Sequence, residues 1–362
     1  MKYLIADLTC RSYPYDTHLY DALQRRCENG TLRVAGCLDE QVGGGYSDFR
    51  EGLIDWAGQL PLASGSLRRY LKAAEYVANV FLLLRRIYRE RPDVLHIQWL
   101  PLAEAWVEFE LWWVRQVQRL GTSVVYTAHN VLPHDTGDRF ADQFRAIYQS
   151  VDAVICHTRD AREQLRRRFG VAEETVYEIP HGPLFTEVTS LSIREAKQAL
   201  DFDQQAPLCV MFGRLKPYKG TEFLLRAWKQ VADEQPDAVL VLAGKPDSAY
   251  EARLHALIDR LGVEAFVRTR FYFLPQRELS RVVSAADVLV YPYREVTQSG
   301  ALLTGMAAGK AIVATDTGGL GEVLTDGETG RLVPYGNVDT LGRVLANLLN
   351  DSDEQEALGE RA

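Results

Sequence analysis

The chain has 362 residues and a mass of 40.8 kDa, with 47% hydrophobic and 25% charged residues, ample material for more than one globular core. Its formal net charge of −8 argues against bulk nucleic-acid binding, and the spacing of its five cysteines argues against a zinc site or a disulfide frame. No apolar run approaches the ~20 residues that span a bilayer.

Read from the start, Met1-Lys2-Tyr3-Leu4-Ile5-Ala6-Asp7 is a first strand and not a signal peptide. Apolar runs of strand length then alternate with amphipathic stretches of helix length. Strands are predicted over 2–6, 31–37, 93–98, 122–127, 151–156 and 175–179, with helices over 16–28, 67–90, 104–120, 139–150 and 158–169. Pro180-His181-Gly182-Pro183 breaks the alternation, and a polar, helix-like stretch leads to residue 206. Strands resume over 207–212, 238–243, 265–271, 287–291 and 310–314, with helices over 219–234, 248–262, 276–285, 299–309 and 338–350. The pattern predicts an α/β protein of two doubly wound Rossmann-like domains, 1–184 and 185–362. Ligands are expected in the loops beyond the carboxyl ends of their strands. Cys10, Cys27, Cys37, Cys156 and Cys209 read as reduced core residues of a cytoplasmic protein.

Two segments of the first half admit two readings. Residues 67–91 carry Arg68, Arg69, Lys72, Arg85, Arg86, Arg89 and Arg91 around the apolar run Val80 to Leu84, and residues 99–113 hold Trp99, Trp106, Trp112 and Trp113. They are either buried helix faces with solvated arginines or a peripheral surface that meets anionic lipid headgroups.

Three loops of the second half suit a phosphate ligand. Gly213-Arg214-Leu215-Lys216-Pro217-Tyr218-Lys219-Gly220 lies between a strand and a helix, where glycine permits close approach, helix-start N–H groups are free, and cations supply charge. A solvated basic turn is the alternative. Beyond Tyr291, the residues Thr297, Gln298, Ser299 and Gly300 stand at a helix start, as phosphate donors or as a plain cap. Beyond Ala314, Thr317-Gly318-Gly319-Leu320-Gly321-Glu322 allows close backbone approach or forms an ordinary tight turn.

Together these residues resemble the donor-binding domain of the retaining family-4 glycosyltransferases, which have the two-Rossmann-domain GT-B fold. The resemblance rests on Gly-Arg-Leu-x-Pro-x-Lys-Gly at 213–220, Leu-Ala-Gly-Lys at 242–245, Ala-Ala-Asp-Val at 285–288 and Val-Tyr-Pro at 290–292. It continues through Met-Ala-Ala-Gly at 306–309, Thr-Asp-Thr-Gly-Gly-Leu-Gly-Glu-Val at 315–323 and Gly-Glu-Thr-Gly-Arg-Leu-Val-Pro at 327–334. The first half is similar more loosely, through Asp93-Val94-Leu95-His96, Thr127-Ala128-His129-Asn130 and Ile179-Pro180-His181-Gly182.

The resemblance implies transfer of a sugar from a nucleotide diphosphate sugar to a glycan or lipid-linked acceptor held mainly by the first domain, in surface polysaccharide or glycolipid synthesis. The nucleotide sugar is a co-substrate; no cofactor, metal or nucleic-acid partner is expected, and contact with the inner face of the membrane would come from the Trp- and Arg-rich helices. Arg214 and Lys219 match the pair that neutralises the departing diphosphate. Gly213, Thr297, Gln298, Ser299, Gly300, Thr304, Gly318, Gly319 and Glu322 fall in the donor-binding loops, and His129 matches a contact to the donor sugar. Asp16 and His18, in what reads as the loop after the first strand, are candidate bases for the acceptor hydroxyl if transfer inverts. Asp201-Phe202-Asp203 and Asp351-Ser352-Asp353 read as surface features.

The sequence departs from the family at two places. The family's two glutamates eight residues apart fall at Val296 and Thr304, so ribose recognition through them is not carried over, and retaining or inverting transfer stays open. The chain also stops at Leu358-Gly359-Glu360-Arg361-Ala362, in sequence like the start of the family's crossover helix, and a truncated open reading frame is expected. Two alternatives remain: a nucleotide-sugar epimerase of the same fold, or a non-catalytic nucleotide-sugar-binding subunit. A dehydrogenase is disfavoured because no G-x-G-x-x-G follows the first strand.

Overall fold

The computed structural model describes residues 1–9, 12–26, 31–36, 53–54, 66–183, 185 and 191–362. The chain divides into two α/β units, Met1–His181 and Gly182–Ala362. Unit 1 contains β1 (Lys2–Asp7), α1 (Tyr13–Arg26), β2 (Thr31–Gly36), α2 (Ser66–Glu90), β3 (Val94–Ile97) and α3 (Val107–Arg119). It continues with β4 (Ser123–Thr127), α4 (Ala141–Ser150), β5 (Ala153–Cys156), α5 (Arg159–Arg167) and β6 (Val176–Glu178). Its six strands pair in parallel in the order β2-β1-β3-β4-β5-β6.

Unit 2 opens with α6 (Ile193–Gln198), which begins in a capping box between Ser192 and Glu195. There follow β7 (Leu208–Phe212), α7 (Thr221–Glu234), β8 (Val239–Ala243), α8 (Ser248–Leu261), β9 (Val267–Arg270) and α9 (Gln276–Ala285). The rest is β10 (Val288–Tyr291), α10 (Gly300–Ala307), β11 (Ala311–Thr315), α11 (Gly319–Val323), β12 (Arg331–Val333), α12 (Val338–Leu349) and α13 (Ser352–Arg361). The parallel sheet runs β12-β11-β10-β7-β8-β9. Its central strands are buried along their length, as continuous apolar runs such as Leu208-Cys209-Val210-Met211-Phe212 require when helices cover both faces.

In each sheet one pair of neighbours marks where the strand order reverses: β1 beside β3 in unit 1, and β7 beside β10 in unit 2. Loops diverge there and leave a crevice at the carboxyl end, the usual ligand position in open α/β sheets.

Three local features differ from the sequence reading. Tyr13–His18 is the beginning of α1 and not a loop. Pro14 lies in its first turn, where a missing N–H costs the helix nothing. β12 was not anticipated, because three residues at a sheet edge are too few to show a period. The tryptophans do not share one environment. Trp113 is buried and donates from its Nε1 to Glu110 at 2.6 Å, and Trp106 and Trp112 are exposed. Glu110 also accepts from Tyr76 Oη and the Leu102 N–H, both at 2.8 Å, tying α2 and the 99–106 segment to α3. Burial pushes its carboxyl up to about 7, against those three hydrogen bonds. Cys156 and Cys209 are buried free thiols; Cys10, Cys27 and Cys37 lie outside the described residues.

Candidate functional site

In unit 2 the loops after β7 and β10 are locked to each other at the switch point. Gly220 has φ +71°, and a Cβ there would lie 1.8 Å from the Pro292 carbonyl oxygen. Only glycine permits both the left-handed conformation and this approach. The Arg294 N–H donates to the Tyr218 carbonyl at 2.7 Å and closes the junction. The loop after β11 is pressed on in the same way. Gly318 has φ +51°, and a Cβ there would lie 1.9 Å from the Val296 carbonyl oxygen. The glycines thus serve backbone packing of three loops into one shelf.

Lys219 is half-buried on this shelf, its Nζ 3.2 Å from where a Cβ of Gly213 would sit and 5.0 Å from the Tyr293 ring centroid. Burial works against its charge. The phenols of Tyr293 and Tyr218 outweigh that penalty and the repulsion of Arg214, so the ammonium's pKa lies above its ordinary value. Arg214 is exposed, so the shelf presents one fixed and one accessible cation. Ser299 caps α10 by accepting from the Leu302 N–H at 3.2 Å. The N–H groups of a helix's first turn have no intrahelical acceptor, which leaves those of Gly300 and Ala301 suited to a ligand oxygen.

Other expected donor residues take different positions. Thr297 and Gln298 are half-buried beside the cap, Gly319 is buried, and Glu322 is exposed on the short α11. Thr304 is fully buried and donates to the Gly300 carbonyl at 2.8 Å, so its hydroxyl holds the helix. Tyr293, which sequence reasoning passed over, stands directly beyond β10. Its place after a strand end is the signal that could have found it.

In unit 1 the corresponding crevice gathers imidazoles and aromatic rings. His129, beyond β4, stacks on Trp99 with ring centroids 5.1 Å apart and planes 13° from parallel. Its Nε2 lies 3.0 Å from Gln98 Oε1 and 3.3 Å from Ser12 Oγ, and Trp99 Nε1 donates to the same Ser12 hydroxyl at 2.5 Å. Tyr15 sits against His129, His157 and His181 at 4.9, 5.2 and 4.9 Å. Beneath, His96 bridges Tyr3 Oη at 2.8 Å and Thr127 Oγ1 at 2.6 Å. Burial holds all three enclosed imidazoles neutral: His96 is lowered to about 3, His157 to about 4, and His129 well below its ordinary value, with neighbouring imidazoles adding repulsion.

The candidate bases fare differently. Asp16 is 2% exposed, and burial followed by repulsion from Asp7 drives its pKa well up, so it holds a proton beside Asp7 and is not an open base. Asp7 itself accepts from the Thr9 and Ser12 N–H groups. His18 is exposed on α1.

The neutral imidazoles predict an acid response whose sign can be isolated. His157 titrates near 6.5 when unfolded and near 4 when folded, so the unfolded chain binds more protons between those values and stability falls as pH drops. Glu110, raised to about 7, works in the opposite direction, so the difference between proteins is the informative quantity. A His157→Asn variant is expected to lose about 2 kcal/mol less than the parent between pH 6.5 and 5. Urea melts at the two pH values check it.

Two family models match, one in each unit: glycosyltransferase family 4 over residues 45–182 and glycosyl transferases group 1 over residues 192–362. The D-inositol 3-phosphate glycosyltransferase of Corynebacterium aurimucosum is 27% identical over 285 residues, covering 75% of this chain and 66% of that protein. That of Streptomyces bingchenggensis is 29% identical over 284 residues, covering 75% and 62%. The match thus spans about two thirds of the length of these curated relatives. Among solved structures, sucrose-phosphate synthase from Thermosynechococcus elongatus has a TM-score of 0.79 at 19% identity, covering 100% of this chain and 92% of that one. Anabaena HepE in complex with UDP-glucose has a TM-score of 0.72 at 17% identity, covering 100% and 93%. With a family model in each unit and this shared fold, the chain belongs to the group 1, family-4-like glycosyltransferases of GT-B fold.

Proposed function

We propose that this chain transfers a glycosyl group from a nucleoside diphosphate sugar to a hydroxyl of a glycan or lipid-linked acceptor. The observation that carries the reading is the locked shelf at the unit 2 switch point, with Lys219 and Arg214 beside the start of α10. As the bond from the sugar to the diphosphate breaks, negative charge builds on phosphate oxygens. Cations and N–H groups fixed beforehand stabilise that charge without reorganising. The neutralisation is assigned to the side chains, so transfer is expected to persist in EDTA. HepE was solved with UDP-glucose, which makes that donor the first to test.

The test is thermal stabilisation against UDP-, GDP-, ADP- and dTDP-sugars, for the parent and Arg214→Ala. A shift with one nucleotide series that the variant loses supports the donor site, because a ligand of the native state raises the melting temperature by mass action. No shift with any donor overturns the reading. Binding without transfer is the second reading, and Val296 and Thr304 favour it, since a buried apolar side chain and a hydroxyl committed to the helix offer a ribose no carboxylate. Release of UDP on adding acceptor separates the two.

A lipid-linked acceptor is supported by an aromatic ladder on α2 and α3. Phe81, Trp112, Phe109 and Trp106 follow one another at 5.7, 5.8 and 4.9 Å, with Phe81 53% and Trp106 50% exposed. Arg85 and Arg115, both exposed, lie one turn from Phe81 and Trp112. Such a face places rings at the headgroup level with cations beside them. Co-sedimentation with anionic vesicles is expected, weakened by salt and by a Trp106→Ser, Trp112→Ser double change. Equal binding by the variant would reject this surface.

A further inference from the structure

We infer that unit 2 carries a second binding site, at the amino end of its sheet, for a small hydroxylated carboxylic acid. The donor shelf lies beyond the carboxyl ends of β7, β10 and β11. At the opposite end of the same strands is a cavity of about 740 Å³. Pro207, Asp287 and Lys310, which directly precede those three strands, line its floor. Residues of α6 and α13 form its sides. Small-molecule sites commonly enclose ~300–1,000 Å³, so the space suits one such ligand.

The walls are fixed. Gly359 of α13 lies against the Gly309 carbonyl with no room for a Cβ between them, and Glu354 of the same helix accepts from Arg331 Nε at 2.6 Å. Two almost wholly enclosed lysines hold the floor: Lys197 is 3% and Lys310 8% exposed. Lys197 donates to the Ala206 carbonyl at 2.9 Å and to Asp287 Oδ2 at 2.7 Å. That same oxygen accepts from the Leu208 N–H at 2.6 Å. Lys310 donates to the Ser284 and Ala286 carbonyls at 2.6 and 2.9 Å.

Charges and spare hydrogen bonds define the ligand class. Lys197 and Asp287 cancel, so the floor keeps one positive charge, on Lys310, whose two acceptors are neutral carbonyls. Burial lowers the Lys310 pKa to about 8, Asp287 offsetting part of the fall and Lys197 adding to it, so the ammonium is mostly charged at pH 7. An enclosed charge calls for a counter-charge. Each ammonium has three N–H groups and uses two, which leaves one on each lysine for an anion. Asp287 Oδ1, without a hydrogen bond among the described residues, suits a hydroxyl beside that anion. Exposed amides of Gln204, Gln205 and Asn350 line the cavity for further hydroxyls. At the rim Arg194 is exposed, and so are Glu356 and Glu360, whose carboxylates disfavour a dianion or a nucleoside diphosphate. A monoanion with hydroxyls meets all these conditions.

Saturation-transfer NMR on the full chain tests the site, with gluconate as the probe, glucose as its uncharged counterpart and glucose 6-phosphate as the more highly charged one. The parent is expected to saturate gluconate more than either. Removing the ammonium in Lys310→Met should cut the signal at least ~5-fold, and reversing the exposed rim charge in Arg194→Glu at least ~2-fold. Lys219→Met, on the shelf, should leave the gluconate signal unchanged. Melting curves report whether each variant is folded. Carbamoylation of the parent by cyanate, followed by peptide mass spectrometry, needs no variant. Cyanate attacks neutral amines, so bound gluconate should slow labelling of Lys310 at least ~5-fold by covering the amine and keeping it charged.

The inference is overturned if glucose or glucose 6-phosphate saturates as strongly as gluconate, or if folded Lys310→Met and Arg194→Glu bind gluconate as the parent does. Labelling of Lys310 at the same rate with and without gluconate overturns it too. A signal lost in Lys219→Met and kept in Lys310→Met would move gluconate to the shelf and reject this cavity. The site goes beyond the glycosyl-transfer reading and does not rest on it. The melting shift caused by UDP reports on the shelf alone, so failure of one site is distinguishable from failure of the other.

Discussion

Replacing Gly220 by alanine is expected to destabilise unit 2 by at least ~3 kcal/mol and to abolish nucleotide binding. Two costs combine. A residue with a Cβ at φ +71° carries the left-handed penalty, roughly 1–2 kcal/mol. The new methyl would also fall 1.8 Å from the Pro292 carbonyl oxygen, inside any permitted contact. Pro292 cannot simply retreat, because two residues on the Arg294 N–H is committed to the Tyr218 carbonyl on the opposite loop. Relief therefore means parting the shelf. Gly336 supplies the control: its φ is +90°, but a Cβ there would meet nothing within 4 Å, so its alanine variant carries the conformational penalty alone. Urea melts of both variants with and without UDP make the comparison. Equal destabilisation would show that the loops are not clamped at Gly220.

Lys219→Met is expected to lower turnover by ~10²-fold, about 2.7 kcal/mol of transition-state stabilisation, with a smaller effect on KM. The charge matters most when the diphosphate departs, so its loss is felt in the rate more than in binding of the intact donor. Methionine keeps the stem over Tyr293 and removes only the ammonium, which separates charge from packing. With its pKa above the ordinary lysine value, the parent's ammonium stays charged from pH 7 to 9 and should impose no alkaline fall in rate over that range. Unchanged turnover in the variant would remove Lys219 from the mechanism.

Much of this was legible in the residue order. Long apolar runs and amphipathic stretches gave away eleven of the strands and the fold class, because parallel sheets buried on both faces leave a strong pattern. The Gly213–Gly220 loop was readable because its cations and glycines lie within eight consecutive residues. The unit 1 crevice was not, since Ser12, Gln98, His129 and His157 come from four loops and meet only when β1, β3, β4 and β5 line up in the sheet. Asp16 shows a converse failure. Its side chain was a fair candidate base by type, but sequence gives no sign that α1 begins at Tyr13 and turns that carboxyl toward Asp7.

The strand order of unit 2 has a consequence for biosynthesis. β7 emerges from the ribosome first, yet one of its neighbours is β10, which begins 76 residues after β7 ends, Phe212 to Val288. At ~5–20 residues per second, roughly 4–15 s pass before that neighbour exists. During this interval β7 can pair only with β8, and its other side, Leu208-Cys209-Val210, is a naked apolar edge. The nascent chain therefore carries an adhesive strand half-covered until about the last two fifths of unit 2 begin to arrive, and a ribosome that pauses between β8 and β10 prolongs that exposure.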